Sequence, residues 1–151
     1  MKLAHLLRIA PIWLAAAWAM SLTTLGFFVV PMLFANLPTP AIAGGMAARL
    51  FSAQTGISAG CSLLLVVLLR SDKQVTPAQI VPSITMLALA GALLTLLVEF
   101  GVSPHIVARE NLKFWHGIGS AMYFAQWLCA VLAFGKLASA AVASQAGPNQ
   151  V

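Results

Sequence analysis

Four long apolar segments, separated by short polar breaks, make up most of the chain. A helix needs about 20 apolar residues to cross a bilayer, because each residue advances it by ~1.5 Å and the hydrocarbon core is ~30 Å thick. The pattern therefore predicts one transmembrane domain over residues 1–151, with membrane-spanning helices over 9–34, 41–70, 78–100 and 114–140. The predicted breaks contain proline or glycine and most of the polar residues, at 36–40, 71–77 and 101–113.

Composition supports a membrane protein. Of the 151 residues, 61% are hydrophobic and 7% charged, whereas soluble domains carry about 25% charged residues. Only Asp72, Glu99 and Glu110 are acidic, and the net charge is +5. The basic residues cluster at the ends of apolar segments, where they suit lipid headgroups, and they form no stripe for nucleic acid. We therefore expect an all-α integral membrane four-helix bundle with the lipid bilayer as its partner.

The N-terminus also resembles a secretory signal. Lys2 and Arg8 precede an apolar run, and Ala17-Trp18-Ala19 imitates a small-x-small cleavage site. The apolar pattern nevertheless continues past Ala19 to Phe34. We expect the segment to be kept as the first membrane helix, with cleavage after Ala19 as the alternative.

Basic residues near the ends of the predicted helices indicate orientation, because cytoplasmic loops carry an excess of Lys and Arg. With the N-terminus in the cytoplasm, the inner side holds five basic residues and the outer side three. The inner ones are Lys2, Arg8, Arg70, Lys73 and Lys136; the outer ones are Arg49, Arg109 and Lys113. Both termini are therefore predicted to be cytoplasmic.

Small residues recur at four-residue spacing on two helices. The ridge of the second predicted helix is Gly44, Ala48, Ser52, Gly56 and Gly60; that of the fourth is Gly117, Ala121, Ala125, Cys129 and Ala133. In lipid, close backbone approach through small residues is a main source of helix association. The preferred interpretation is packing inside the bundle, and a homodimer contact is the alternative.

Two charged residues are predicted at the same depth. Arg49 precedes Arg70 by 21 residues, and Glu99 follows Pro77 by 22. These separations correspond to about 31 and 33 Å of helix, so both side chains reach the outer rim. A carboxylate near hydrocarbon usually finds a partner. We predict an Arg49–Glu99 ion pair that braces two helices; a ligand-facing role and separate solvation remain open.

His105 and His116 extend this outer polar cluster, which is the candidate binding site for a metal-containing or cationic solute. For His116 a hydrogen-bonded structural role is preferred over a metal or haem ligand. No HxxxH spacing occurs, and the first three predicted helices contain no histidine to hold haem. We therefore expect no bound metal and no cofactor.

Catalysis and thiol chemistry find little support. No catalytic motif occurs, so we expect a protein that is not an enzyme. Cys61 and Cys129 lie in apolar segments at similar predicted depth, where buried cysteines commonly act as small hydrophobes. A thiol ligand site is the alternative.

Several short motifs allow a comparison with a known family. They are WAMSLTTLGF at 18–27, PMLF at 31–34, Ala43-Gly44, Arg49-Leu50-Phe51 and FWHGIGS at 114–120. With these the chain resembles a bacterial four-helix membrane family, the domain of unknown function 4149, related to transmembrane protein 205, which is linked to platinum-drug resistance. The resemblance implies four helices and a bacterial membrane, and no established activity. The chain departs from the family pattern at Gly119, where serine is usual, and at Tyr123-Phe124, where asparagine-leucine is usual.

Together these observations give two functional hypotheses. The first is an inner-membrane protein of unknown biochemical activity that assists transport of, or resistance to, a metal-containing or cationic solute. The second is a non-catalytic assembly or scaffold subunit that binds a second copy or other membrane subunits.

Overall fold

The computed structural model describes residues 2–71 and 79–145, and the side chains of 9–70 and 79–144. Several predicted features lie outside the described residues. These are most of the second break with Lys73, the predicted start of the third helix at residue 78, the end of the C-terminal tail, and the side chains of Lys2 and Arg8.

The described chain is helical throughout, apart from short connections. Its elements are α1 (Lys2–Thr23), a π-helical segment (Thr24–Val29), α2 (Val30–Asn36), α3 (Pro40–Ser71), α4 (Val81–Leu97), a second π-helical segment (Val98–Val102), α5 (Ser103–Val107) and α6 (Leu112–Gln145). Four stretches are long and apolar enough to cross a membrane. We call them spans 1 to 4: Ile9–Asn36, Pro40–Arg70, Val81–Val107 and Leu112–Ser144. The all-α, four-span fold is therefore confirmed, whereas the single domain over 1–151 stays a prediction.

The four spans run antiparallel to their neighbours in a ring. Span 1 packs against spans 2 and 4, and span 3 packs against the same two spans. The connections at 37–39 and 108–111 lie at one end of the bundle, which we call the distal end. The opposite, proximal end holds the start of spans 1 and 3.

The predicted break at Gly101–Pro104 is wrong, because the helix continues to Val107 through a widened turn. Both π-helical segments end two residues before a proline, Pro31 in span 1 and Pro104 in span 3. Proline has no N–H and clashes with the carbonyl four residues before it. In both cases that carbonyl belongs to a π-helical segment, where the wider turn lets the helix continue past the proline.

The interior of the bundle has two halves. Seven buried apolar residues form its proximal half: Ala15, Leu65, Leu69, Ile84, Ala88, Ala133 and Leu137. Toward the distal end the buried residues include polar side chains: Gln54, Ser58, Thr95 and Gln126. The cluster of Trp18, Ala19, Leu22 and Ala130 adjoins them. The buried interior is therefore mainly apolar toward the proximal end, apart from Ser62 and Thr85, and hydrogen-bonded toward the distal end.

Candidate functional site

Glu99 is held by two hydroxyl groups of the neighbouring helix. It lies in the second π-helical segment and is half-buried. Ser52 Oγ donates a hydrogen bond of 2.8 Å to Oε1. The single hydroxyl hydrogen of Thr55 is shared between Oε2 of Glu99, at 3.3 Å, and the carbonyl of Phe51, at 3.1 Å. Both donors belong to span 2, so the carboxylate joins spans 2 and 3.

The predicted Arg49–Glu99 ion pair is wrong. In the described part of the chain, no Lys, Arg or His nitrogen lies within 4.0 Å of a Glu99 oxygen. Arg49 is exposed, three residues before Ser52 on the same helix. The two residues therefore do share one end of the bundle, but hydroxyl groups rather than a guanidinium contact the carboxylate. Spans 2 and 3 are therefore braced by neutral donors, and no basic side chain in the described part of the chain forms an ion pair with Glu99.

His105 belongs to a separate cluster around the distal connection. Its Nδ1 lies 2.7 Å from Oε2 of Glu110, and its ring stacks on that of Trp115, with centroids 4.1 Å apart and planes 5° apart. Between His105 and Trp115 the chain turns sharply, with positive φ of 57° at Arg109 and 36° at Asn111. His105 thus ties α5 to the start of α6.

His116 does not take the structural role expected of it. Its side chain is exposed, and none of the described residues forms a hydrogen bond with it. Over residues 2–71 and 79–145 the structure places no three His, Cys, Asp or Glu side chains together as a possible metal site. The four candidate binding residues therefore do not form one cluster: Glu99 has the hydroxyl contacts, and His105 pairs with Glu110.

The small-residue ridge of span 2 does not pack inside the bundle, contrary to the preferred interpretation. Gly56 and Gly60 are exposed, and a Cβ atom at either would meet nothing within 4 Å. Gly44 is half-buried, but the space around its Cβ position is open as well. Ser52 is also exposed and Ala48 half-buried. The buried face of this helix consists instead of Ala43, Ala47, Gln54, Ser58, Ser62, Leu65 and Leu69. A contact with another helix in the membrane stays a prediction for this ridge.

The ridge of span 4 passes from the surface into the core. Gly117 and Ala121 are exposed, and Gly117 has open space around its Cβ position. Ala125 and Cys129 are half-buried, and Ala133 is fully buried in the proximal cluster. Intramolecular packing therefore holds only for the proximal part of this ridge.

A buried hydrogen-bond network in the distal half is not predicted by the sequence analysis. Gln54 Nε2 donates to Ser21 Oγ at 2.9 Å and to Ser58 Oγ at 3.1 Å, and Gln126 Nε2 donates to Ser58 Oγ at 2.9 Å. The network links spans 1, 2 and 4. Its signal in the sequence is a pair of glutamines inside apolar segments, since polar residues in membrane spans usually face the interior.

Two more buried groups lie nearby without a partner. Trp18 Nε1 and Thr95 Oγ1 make no hydrogen bond to the described residues. Trp18 is 0% and Thr95 2% exposed. The other tryptophan at this level, Trp127, donates from Nε1 to Thr23 Oγ1 at 2.9 Å.

Aromatic and thiol groups complete the interior. The Tyr123 hydroxyl donates to the carbonyl of Leu22 at 2.7 Å, beside the first π-helical segment. Cys61 and Cys129 are free, half-buried thiols that both border the Trp18 cluster, in agreement with their similar predicted depth. At the distal surface, an open groove is lined by Asn111, Lys113, Phe114, Gly117 and Ile118.

These features define a polytopic membrane protein with a four-helix bundle, a partly polar interior and one carboxylate held between two spans. Residues 13–115 match the family described as a domain of unknown function, DUF4149, and the chain belongs to that family. The match covers span 1 from Trp13 onward, spans 2 and 3, and the first residues of span 4. Comparisons with curated proteins and with solved structures found no match.

Proposed function

We propose that this protein binds a cationic solute at Glu99 and, without catalysing a reaction, assists the transport or exclusion of that solute. The observation that carries the proposal is the Glu99 carboxylate, whose hydrogen-bond donors among the described residues are the hydroxyl groups of Ser52 and Thr55. Hydroxyl donors stabilise the anion but leave its negative charge in place. An uncompensated carboxylate at membrane depth is costly, and such residues commonly mark solute or ion pathways.

The position of Glu99 suits a solute that arrives from the distal side. Its side chain is half-buried, and its partner Ser52 is exposed. Below this level the interior closes in the apolar cluster around Leu65 and Leu69. A cation bound at Glu99 would therefore stay near the distal rim.

Orientation completes the proposal. The excess of basic residues at the proximal end supports cytoplasmic termini in a bacterial inner membrane, which puts Glu99 toward the outer face. The resemblance to transmembrane protein 205, linked to platinum-drug resistance, supports a metal-containing or cationic solute. We propose that the chain is bacterial and that its family is related to transmembrane protein 205.

Binding of tetraphenylphosphonium to the purified protein in lipid nanodiscs tests the site. Glu99→Gln keeps the shape of the side chain and removes its charge, so we expect about tenfold weaker binding, equivalent to ~1.4 kcal/mol. Glu110→Gln is the matched control, because that carboxylate lies at the same end and pairs with His105. Equal binding by wild type and Glu99→Gln would refute the proposal. In cells, deletion of the protein should change tolerance to platinum compounds. Glu99→Gln should reproduce that change.

A second candidate function is a scaffold or assembly subunit, and the exposed ridge of span 2 favours it. Gly56 and Gly60 leave the helix backbone open to a neighbour in the membrane, the arrangement through which spans associate closely. Gly56→Leu should abolish association with a second copy or another subunit while leaving the bundle folded. Gly135→Leu is the control, since Gly135 is also exposed with open space but lies on span 4. Unchanged cross-linking in Gly56→Leu would exclude this interface.

A further inference from the structure

Two fully enclosed polar groups in the bundle have no protein partner. The indole Nε1 of Trp18 can only donate a hydrogen bond, and the hydroxyl of Thr95 can both donate and accept. Leaving such groups unpaired away from water destabilises the folded protein. Because almost all buried polar atoms in proteins are satisfied, each orphan points to a missing partner.

Both groups belong to residues at or next to the contact between spans 1 and 3. Cζ2 and Cη2 of the Trp18 ring lie against Gly91, and their contact spans the bundle from span 1 to span 3. Thr95 follows Gly91 by four residues, one helical turn toward the distal end and on the same helix face. The indole nitrogen is two bonds from Cζ2, so it lies beside this face of span 3.

The two hydroxyl groups that follow Trp18 most closely on span 1 are already engaged. The Ser21 hydroxyl donates to the Trp18 carbonyl and accepts from Gln54. The Thr23 hydroxyl donates to the carbonyl of Ala19 and accepts from Trp127. Neither is free to turn toward the Trp18 ring without breaking an existing bond.

We propose that an ordered water molecule occupies a site between Trp18 and Thr95, accepting from Nε1 and donating to Oγ1. The donor chemistry selects water: an indole N–H repels a cation, and no charged side chain lies among the buried residues to stabilise an anion. Water is small, neutral, and both donor and acceptor, and buried waters typically bridge such orphaned groups.

This water gives spans 1 and 3 a polar link across the bundle. The Ser58–Gln126 hydrogen bond already joins spans 2 and 4 in the same way. Both diagonals of the distal half are then hydrogen-bonded. This inference is independent of the solute site at Glu99.

The test is water-to-indole cross-relaxation by NMR on the full-length protein, with ¹⁵N-labelled tryptophan, in lipid nanodiscs. We expect a cross-peak between water and the Trp18 N–H. Trp127 is the internal reference, because its N–H already donates to Thr23, and it should show none. A Trp18 resonance without a water cross-peak would overturn the proposal.

Variants of Thr95 decide whether the water bridges the two groups. Thr95→Val keeps the shape and removes the hydroxyl, so the Trp18 cross-peak should be lost. Thr95→Ser should retain it, and Thr85→Val, at a second buried threonine of span 3, should leave it unchanged. A cross-peak that persists in Thr95→Val would overturn the bridge. If that variant does not fold, loss of the cross-peak in Thr95→Ser would overturn it equally.

Discussion

The indole ring of Trp18 lies against Gly91 so closely that a Cβ atom at residue 91 would come within 2.4 Å of Cη2. Both residues are buried, on diagonally opposite spans. The absence of a side chain at residue 91 is therefore what admits the largest residue of the core. Tyr123 makes a similar approach to Gly26, where a Cβ atom would lie 2.6 Å from Cε1.

Gly91→Ala should destabilise the bundle by about 1–3 kcal/mol, because the added methyl group overpacks the core against a rigid ring. Unfolding by SDS titration in mixed micelles measures the loss. Trp18→Phe removes the atoms in contact, so the two changes together should cost less than their sum. Gly56→Ala, where the Cβ position is open, should show no loss. Strict additivity of Gly91→Ala and Trp18→Phe would contradict the contact.

Ser58→Ala should cost about 1–2 kcal/mol, because it removes the acceptor shared by Gln54 and Gln126 and leaves a buried amide unpaired. Ser62→Ala is a close control. Ser62 is equally buried, on the same face one turn away, but bonds only to the carbonyl of Ala59 in its own helix. Its loss should cost about 0.5 kcal/mol or less. Thermal melting in detergent compares the pair, and equal costs would contradict the assigned network.

Tyr123→Phe should lower the free energy of unfolding by about 0.5–1.5 kcal/mol through loss of one interhelical hydrogen bond. The bond joins span 4 to the Leu22 carbonyl of span 1, and the ring itself is kept. Helix content by circular dichroism should not change. A variant as stable as wild type would show that the hydroxyl bond contributes nothing.

His105→Ala should destabilise the distal connection modestly, by about 0.5–1 kcal/mol, because its pair with Glu110 is largely exposed. The stacking on Trp115 is lost as well. His116→Ala should have no effect on stability, since that side chain is exposed. Tryptophan fluorescence and melting temperature of the two variants provide the comparison; a larger effect of His116→Ala would reverse their assigned roles.

The number of spans could be predicted from the sequence because segment length alone decides whether a helix can cross the membrane. The residues at which the spans end were harder to predict. Gly101 and Pro104 usually break a helix, yet the chain passes both, since the π-helical segment Val98–Val102 accommodates the proline. A π-helical turn cannot be recognised from the pattern of apolar residues.

The direction in which a small-residue ridge faces could not be predicted from its spacing. Residues four apart on a helix are rotated by about 40° from one another, so five of them wind through about 160°. The ridge from Gly44 to Gly60 therefore turns away from the bundle, and that from Gly117 to Ala133 turns into it. The buried face of span 2 interrupts its steps of four with one of seven, from Ala47 to Gln54, and one of three, from Ser62 to Leu65, and so keeps facing the bundle.

For Arg49 and Glu99, too, the depth of a residue in the membrane does not determine the direction in which its side chain points. The helical rise placed both at the distal end, which the structure bears out, but it carries no information on which side chains face each other. Ser52 and Thr55, ordinary small polar residues in the sequence, hold the carboxylate. Gln54 and Gln126 give only a weak signal in the sequence, because such residues are few and uncharged.

The Ser58–Gln126 bond also bears on biogenesis. Span 4 leaves the ribosome after spans 1 to 3, so these can insert before the amide of Gln126 is present. Until then the Ser58 hydroxyl has only the amide of Gln54, on its own helix, as a donor. A polypeptide truncated before span 4 would expose the side chains of Gln54 and Ser58 within the bilayer. A membrane protease or insertase can distinguish it from the finished protein by these polar groups.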